Sequence, residues 1–154
     1  MSTVRSFARS VDSLARIFEF SAEAFARHGI DPGLLPSVDF VLEELFTNMI
    51  KYSRGDADVQ IELRPLAGGV EATLADRGAE PFDVTQAPAV DTTLPIEQRR
   101  PGGLGLHLIR RMVDSIEYEY RQEDRQSRIT FRKTAPITAP GAQVAPLGED
   151  DADD

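Results

Sequence analysis

The sequence contains no cysteine and no tryptophan. Without a thiol there is no disulfide framework, no sulfur-ligated zinc and no thiolate nucleophile. A chain of 154 residues buries enough surface to fold without such staples, so one modest domain in a reducing compartment is expected. Long apolar runs are missing too. Nothing approaches the roughly 18 to 20 uninterrupted apolar residues of a membrane span. The first residues, with Arg5 and Arg9 among small polar neighbours, lack the apolar centre of a secretory signal. A cytoplasmic location without membrane contact is the expectation. Basic charge is also scarce, with 17 Lys and Arg against 26 Asp and Glu and a net charge of −9. Glu149, Asp150, Asp151, Asp153 and Asp154 account for five of those acids, leaving 21 against the 17 bases over residues 1–148. Phosphate affinity comes mainly from Lys and Arg displacing counterions, so this mildly acidic body is not expected to bind nucleic acid directly.

What is present falls into alternating periods. From Ser10 to about Arg27 the apolar residues Val11, Leu14, Ala15, Ile17, Phe18, Ala22 and Phe25 recur at helical spacing, with Ser10 placed to cap. His28-Gly29-Ile30-Asp31-Pro32-Gly33 supplies a glycine stop and a proline turn, and a second helix is expected from about Leu34 to Ser53. Its core line runs through Val38, Val41, Leu42, Leu45, Met49 and Tyr52. The period then changes to two, in Val59-Ile61-Leu63 and, after Ala67-Gly68-Gly69, in Val70-Ala72-Leu74, which reads as an antiparallel hairpin. Residues from Asp76 to Pro101 hold neither period and carry Pro81, Pro88 and Pro95, so a long loop is expected, its Val84 to Arg100 part a lid over the site. A third helix follows from about Gly102 to Asp114, with Leu104, Leu106, Leu108, Ile109, Met112 and Val113 as its apolar arc. Ile116-Tyr118-Tyr120 and Ile129-Phe131 complete the strands. Strands with one apolar and one polar face make a sheet covered on one side, hence a two-layer α/β sandwich with a mixed, mainly antiparallel sheet. Residues 1–133 form the expected domain, and 134–154, rich in Pro, Ala and acid, a disordered tail.

Three constellations carry chemistry. In Glu43-Glu44-Leu45-Phe46-Thr47-Asn48 on the second helix, Glu44 and Asn48 are four apart and share a face at the margin of the core line, while Glu43 points away. A carboxylate and a carboxamide at the rim of a helix–sheet groove suit a base beside a ligand for a hard cation. The bland reading of the same pair is a surface hydrogen bond. Asp76-Arg77-Gly78-Ala79-Glu80-Pro81-Phe82-Asp83 follows a strand; there an aspartate can accept from an exocyclic amine while Gly78 lets backbone approach a flat base, although Asp-x-Gly is also ordinary turn chemistry. Arg99-Arg100-Pro101-Gly102-Gly103-Leu104-Gly105 opens the third helix, where glycine N–H groups, the helix dipole and upstream arginines can hold an anion.

In this order the three resemble the asparagine box and the two glycine boxes of the Bergerat (GHKL) ATPase superfamily, and the one-domain layout is similar to its anti-sigma factor serine/threonine kinase branch. The resemblance covers about residues 1–133. It implies the Bergerat ATP-binding fold, ATP and Mg²⁺ as cofactors, a sigma factor that the protein sequesters, and a STAS-domain anti-anti-sigma protein that it phosphorylates. On that resemblance Glu44 activates the acceptor hydroxyl, Asn48 holds Mg²⁺, Asp76 reads the adenine amine beside Gly78, and Gly102, Gly103, Leu104 and Gly105 line the phosphates, Gly103 and Gly105 foremost.

The sequence departs from the family pattern in three places. Tyr52, beside Lys51, stands where relatives often carry histidine; Pro101 precedes the glycine box and makes Arg100 the candidate phosphate contact; and Gln126-Ser127 replaces a late Gly-Thr, leaving Ser127 or Thr130 to supply that hydroxyl. Two rival readings are a nucleotide-binding but non-catalytic anti-sigma module and an ATPase domain related to histidine kinases. Against the second, neither His28 nor His107 begins an acceptor motif. The Phe7, Phe18, Phe20, Phe25, Phe40 and Phe46 series reads as core and homodimer surface rather than a cofactor box.

Overall fold

The computed structural model describes residues 1–52, 57–77 and 103–136. Among these residues, five strands and three α-helices are arranged as β1 (Thr3–Phe7), α1 (Leu14–His28), α2 (Leu35–Tyr52), β2 (Val59–Leu66), β3 (Gly69–Arg77), α3 (Gly103–Met112), β4 (Ser115–Arg121) and β5 (Gln126–Thr134). The sheet order is β1-β2-β3-β5-β4, and every described pairing is antiparallel. The last strand in sequence therefore lies between β3 and β4.

Local chemistry sets the boundaries. The Ser10 hydroxyl accepts from the Asp12 N–H at 3.1 Å and opens a 3₁₀ turn, Val11–Ser13, that leads into α1. Gly29 ends α1 in the left-handed region, φ 65°, with its N–H on the Phe25 carbonyl. Asp31 accepts from Gly33 N–H at 2.9 Å and starts the turn Pro32–Leu34 before α2. Between β2 and β3 only Ala67 and Gly68 form the turn, and Gly69 already pairs with Leu66. At Gly69 a methyl group would collide with the Lys133 carbonyl oxygen and come within 2.7 Å of Thr134 Cα, so the β3–β5 approach requires glycine there.

One face of the sheet packs on the helices. The register aligns three inward rows: Thr3, Leu63, Ala72, Phe131 and Ile116; Arg5, Ile61, Leu74, Ile129 and Tyr118; Phe7, Val59, Asp76, Ser127 and Tyr120. Against them lie Ile17, Phe20, Ala24 and Phe25 of α1, Val38, Val41, Leu42, Leu45, Phe46 and Met49 of α2, and Ile109 of α3, all buried. Each of these side chains larger than alanine contributes about 1.5–3 kcal/mol on burial. The outer face is polar, with Glu71 bridging Arg64 and Arg132, and Thr73 hydrogen-bonded to Thr130 at 3.2 Å.

Four local expectations are revised. Residues 3–7, read as a leading segment, form a strand. The buried stripe of α1 runs through Ile17, Phe20, Ser21, Ala24 and Phe25, so Val11, Ala15 and Ala22 face water. Ser21 earns its inward place by donating to Asp39 at 2.6 Å, which ties α1 to α2. Leu108, placed in the apolar arc of α3, is exposed, because Ile109 makes the inward contact. The sheet also includes Thr134, and the Ala135 N–H donates to the Gly68 carbonyl. Residues 137–154 of the expected tail lie outside the described residues.

Candidate functional site

Two elements present the candidate residues. On α2 the helical period that buries Leu42, Leu45 and Met49 turns Asn48 inward as well, to 4% exposure, and leaves Glu44 half-buried one turn earlier. Glu43 is exposed. Burial raises the Glu44 pKa above the ordinary carboxylate value, the neighbouring Glu43 charge adds to the rise, and Lys51 opposes it. A half-buried carboxyl with a raised pKa is suited to take a proton from an alcohol near neutral pH.

Asp76 lies one residue before the end of β3, on the helix-facing side of the sheet, and is fully buried. Ser127 of β5 stands directly opposite it, also buried. Its hydroxyl is 3.3 Å from the Tyr118 hydroxyl. Thr130 is three residues further along β5 and therefore on the outer face, where it meets Thr73. Of the two hydroxyls left open by the sequence, Ser127 is the one on the Asp76 side.

A residue that no motif marked joins these elements. Arg9, in the link between β1 and α1, forms an ion pair with Asp76. Its Nε donates to the Ala57 carbonyl at 2.8 Å, and its Nη1 to the Met49 carbonyl at 3.5 Å. One guanidinium thus holds the end of β3, the entry to β2 and the α2 residue next to Asn48. No spacing in the sequence could have singled it out, since a lone arginine after a short strand belongs to no pattern.

Gly103, Leu104 and Gly105 form the first turn of α3, which packs against α2. Gly78, Arg100 and Gly102, with the expected lid from Val84 to Arg100, lie outside the described residues. The described backbone leaves the sheet at Arg77, the end of β3, and resumes at Gly103, the start of α3, so Asp76 and the Gly103–Gly105 turn stand at the two ends of one connection.

A model of the histidine kinase-like ATPase domain matches residues 7–133. The chain belongs to that family. Membership in this family, part of the GHKL superfamily, makes ATP the expected ligand of the domain. Among solved structures, the chain is similar to the RsbU and RsbW domains of Rv1364c from Mycobacterium tuberculosis, with a TM-score of 0.58 and 13% identity over 87% of this chain. At that identity the likeness concerns the fold. This ATPase domain spans 32% of the other chain's length. No curated protein sequence matches it at a significant level.

The residues of this histidine kinase-like ATPase domain also fit a hard cation. Among the described residues no group of three or more His, Cys, Asp or Glu could hold a metal ion by itself. Mg²⁺ does not need such a cage, since it is bound through one or two protein oxygens, several waters and substrate phosphates. The Asn48 carboxamide supplies one such oxygen, with the Glu44 carboxyl one turn earlier beside it. Among the described residues no helix is long and apolar enough to cross a membrane.

Proposed function

We propose that this chain is an ATP-dependent anti-sigma factor that sequesters a sigma factor and phosphorylates a STAS-type anti-anti-sigma protein on serine or threonine. The observation that carries the catalytic part is the pairing on α2 of half-buried Glu44, its proton affinity raised, with buried Asn48 one turn away. The anti-sigma part is supported by the fold likeness to the RsbU and RsbW domains of Rv1364c.

In this reading the ATP base lies against Asp76 and Ser127, and the triphosphate extends toward Asn48 and the first turn of α3. Asn48 would hold Mg²⁺, which would supply charge neutralisation on the phosphates. Glu44 accepts the proton of the acceptor hydroxyl as its oxygen bonds to the γ-phosphorus and the bond from that phosphorus to the ADP oxygen breaks. The amide N–H groups at the start of α3, freed by Gly103 and Gly105, stabilise the anionic phosphates.

The test is incubation with labelled Mg-ATP and candidate STAS proteins, with wild type and Glu44→Ala in parallel. Transfer to a serine or threonine is expected from wild type, and loss of the base should lower the rate about 10²- to 10⁴-fold. Sigma-factor capture and ATP binding should survive, because Glu44 lies outside the buried line of α2. Equal transfer by both proteins removes Glu44 from catalysis. ATP binding with no transfer to any partner would leave the non-catalytic anti-sigma module as the better reading.

A further inference from the structure

Asp76 is completely buried, and a carboxylate in that position is costly unless a charge or hydrogen-bond donors compensate it. Arg9 supplies the compensation, and it does so from an unusually fixed position. Its side chain is only 14% exposed, and its donors reach three separate stretches of chain, at Asp76, Ala57 and Met49. A guanidinium is a rigid planar fork, so anchoring it at several edges fixes its plane and thereby the orientation of the carboxylate paired with it. An ammonium on a flexible stem could supply the charge but not the plane.

We propose that Arg9 is a positioning residue that sets base choice: it holds the Asp76 carboxylate ionised and oriented, so that the site accepts a base edge carrying an amine and rejects one carrying a carbonyl oxygen. The proposal rests on the reading that a nucleotide base seats against Asp76. An ion-paired carboxylate is an acceptor only, with capacity for more than one donor. It rewards the exocyclic amine of adenine and meets the carbonyl of hypoxanthine oxygen to oxygen. A carboxyl free to protonate or to turn could donate to that carbonyl instead, and the distinction would fade. Arg9 does not touch the base in this arrangement; it acts through Asp76.

The experiment measures binding of Mg-ATP and Mg-ITP, which differ at the C6 substituent and, with it, in the proton on N1, to wild type, Arg9→Met and Arg9→Lys. Wild type is expected to prefer ATP by about 10²-fold or more, as sites built around a substrate hydrogen bond do. Arg9→Met should cut the ATP-to-ITP ratio at least about tenfold, mainly by weakening ATP. A residue that merely held the scaffold together would weaken both nucleotides by the same factor, and an unchanged ratio in Arg9→Met overturns the proposal. If the methionine variant does not fold, Arg9→Lys decides. It keeps the charge beside Asp76 and loses the fork, so its ratio should fall at least about threefold, and a wild-type ratio overturns the proposal. Wild-type protein that binds neither nucleotide removes the base-seating reading itself, an outcome distinct from binding without dependence on Arg9.

Discussion

Glu44 occupies a place that weakens the folded chain when its carboxyl is ionised. Its pKa is raised by burial first and by Glu43 second, with Lys51 opposing. A carboxyl whose native pKa lies above its unfolded value favours the native state while protonated; that contribution is complete below the ordinary carboxylate range and is lost as pH rises through the raised native value. Glu44→Gln should therefore melt higher than wild type at pH 7, with the difference closing as pH falls toward about 4. Melting curves of both proteins across that range check this, and coincident curves would refute it. Turnover should move the other way, rising with pH as the carboxylate forms. Glu44, Asn48 and Asp76 were legible in the sequence because a helical period and the end of an alternating run place them without knowledge of the rest. Arg9 was not, because its role depends on contacts with Met49, Ala57 and Asp76, which only the assembled fold brings to it.

At the scale of elements, the α1–α2 contact depends on one polar bridge inside an apolar seam. Ser21 donates to Asp39, the Phe18 carbonyl being a second, longer acceptor for the same hydroxyl proton at 3.0 Å, and burial raises the Asp39 pKa more than the Ser21 bond lowers it. Ser21→Ala should cost roughly 1–3 kcal/mol, since it leaves a partly buried carboxyl short of a donor, and urea unfolding measures the loss. At the β3–β5 seam, Gly69→Ala should cost about 1–3 kcal/mol through forced separation of backbones, read in the same assay. The long strands and all three helices were legible because their periods are sustained. β1 was not, since hydropathy points the wrong way in it: Val4 is exposed, while Thr3 and Arg5 lie in the inward rows. They are tolerated at this sheet edge because Thr3 shares a hydrogen bond with His28 at 2.8 Å and Arg5 lies over the Phe20 ring at 5.2 Å.

At the scale of the whole molecule, binding of Mg-ATP to the native state alone should raise the melting temperature by mass action, and Asp76→Asn should remove most of that rise. A melting curve unchanged at millimolar Mg-ATP would count against the site. The position of β5 carries a further consequence for how the chain is made. Because Gln126–Thr134 is inserted between β3 and β4, the ribosome must deliver the final strand before the middle of the sheet can close. Until then β3 has one open edge, Asp76 faces no Ser127, and β4 has no neighbour at all among the described strands. Residues 1–77 already carry Arg9, Glu44, Asn48 and Asp76, so synthesis at about 5–20 residues per second delivers one wall of the candidate site before the strand that closes it. β5 thus closes the site from its Ser127 side last, and nascent chains arrested before residue 126 should be more protease-sensitive than the full chain.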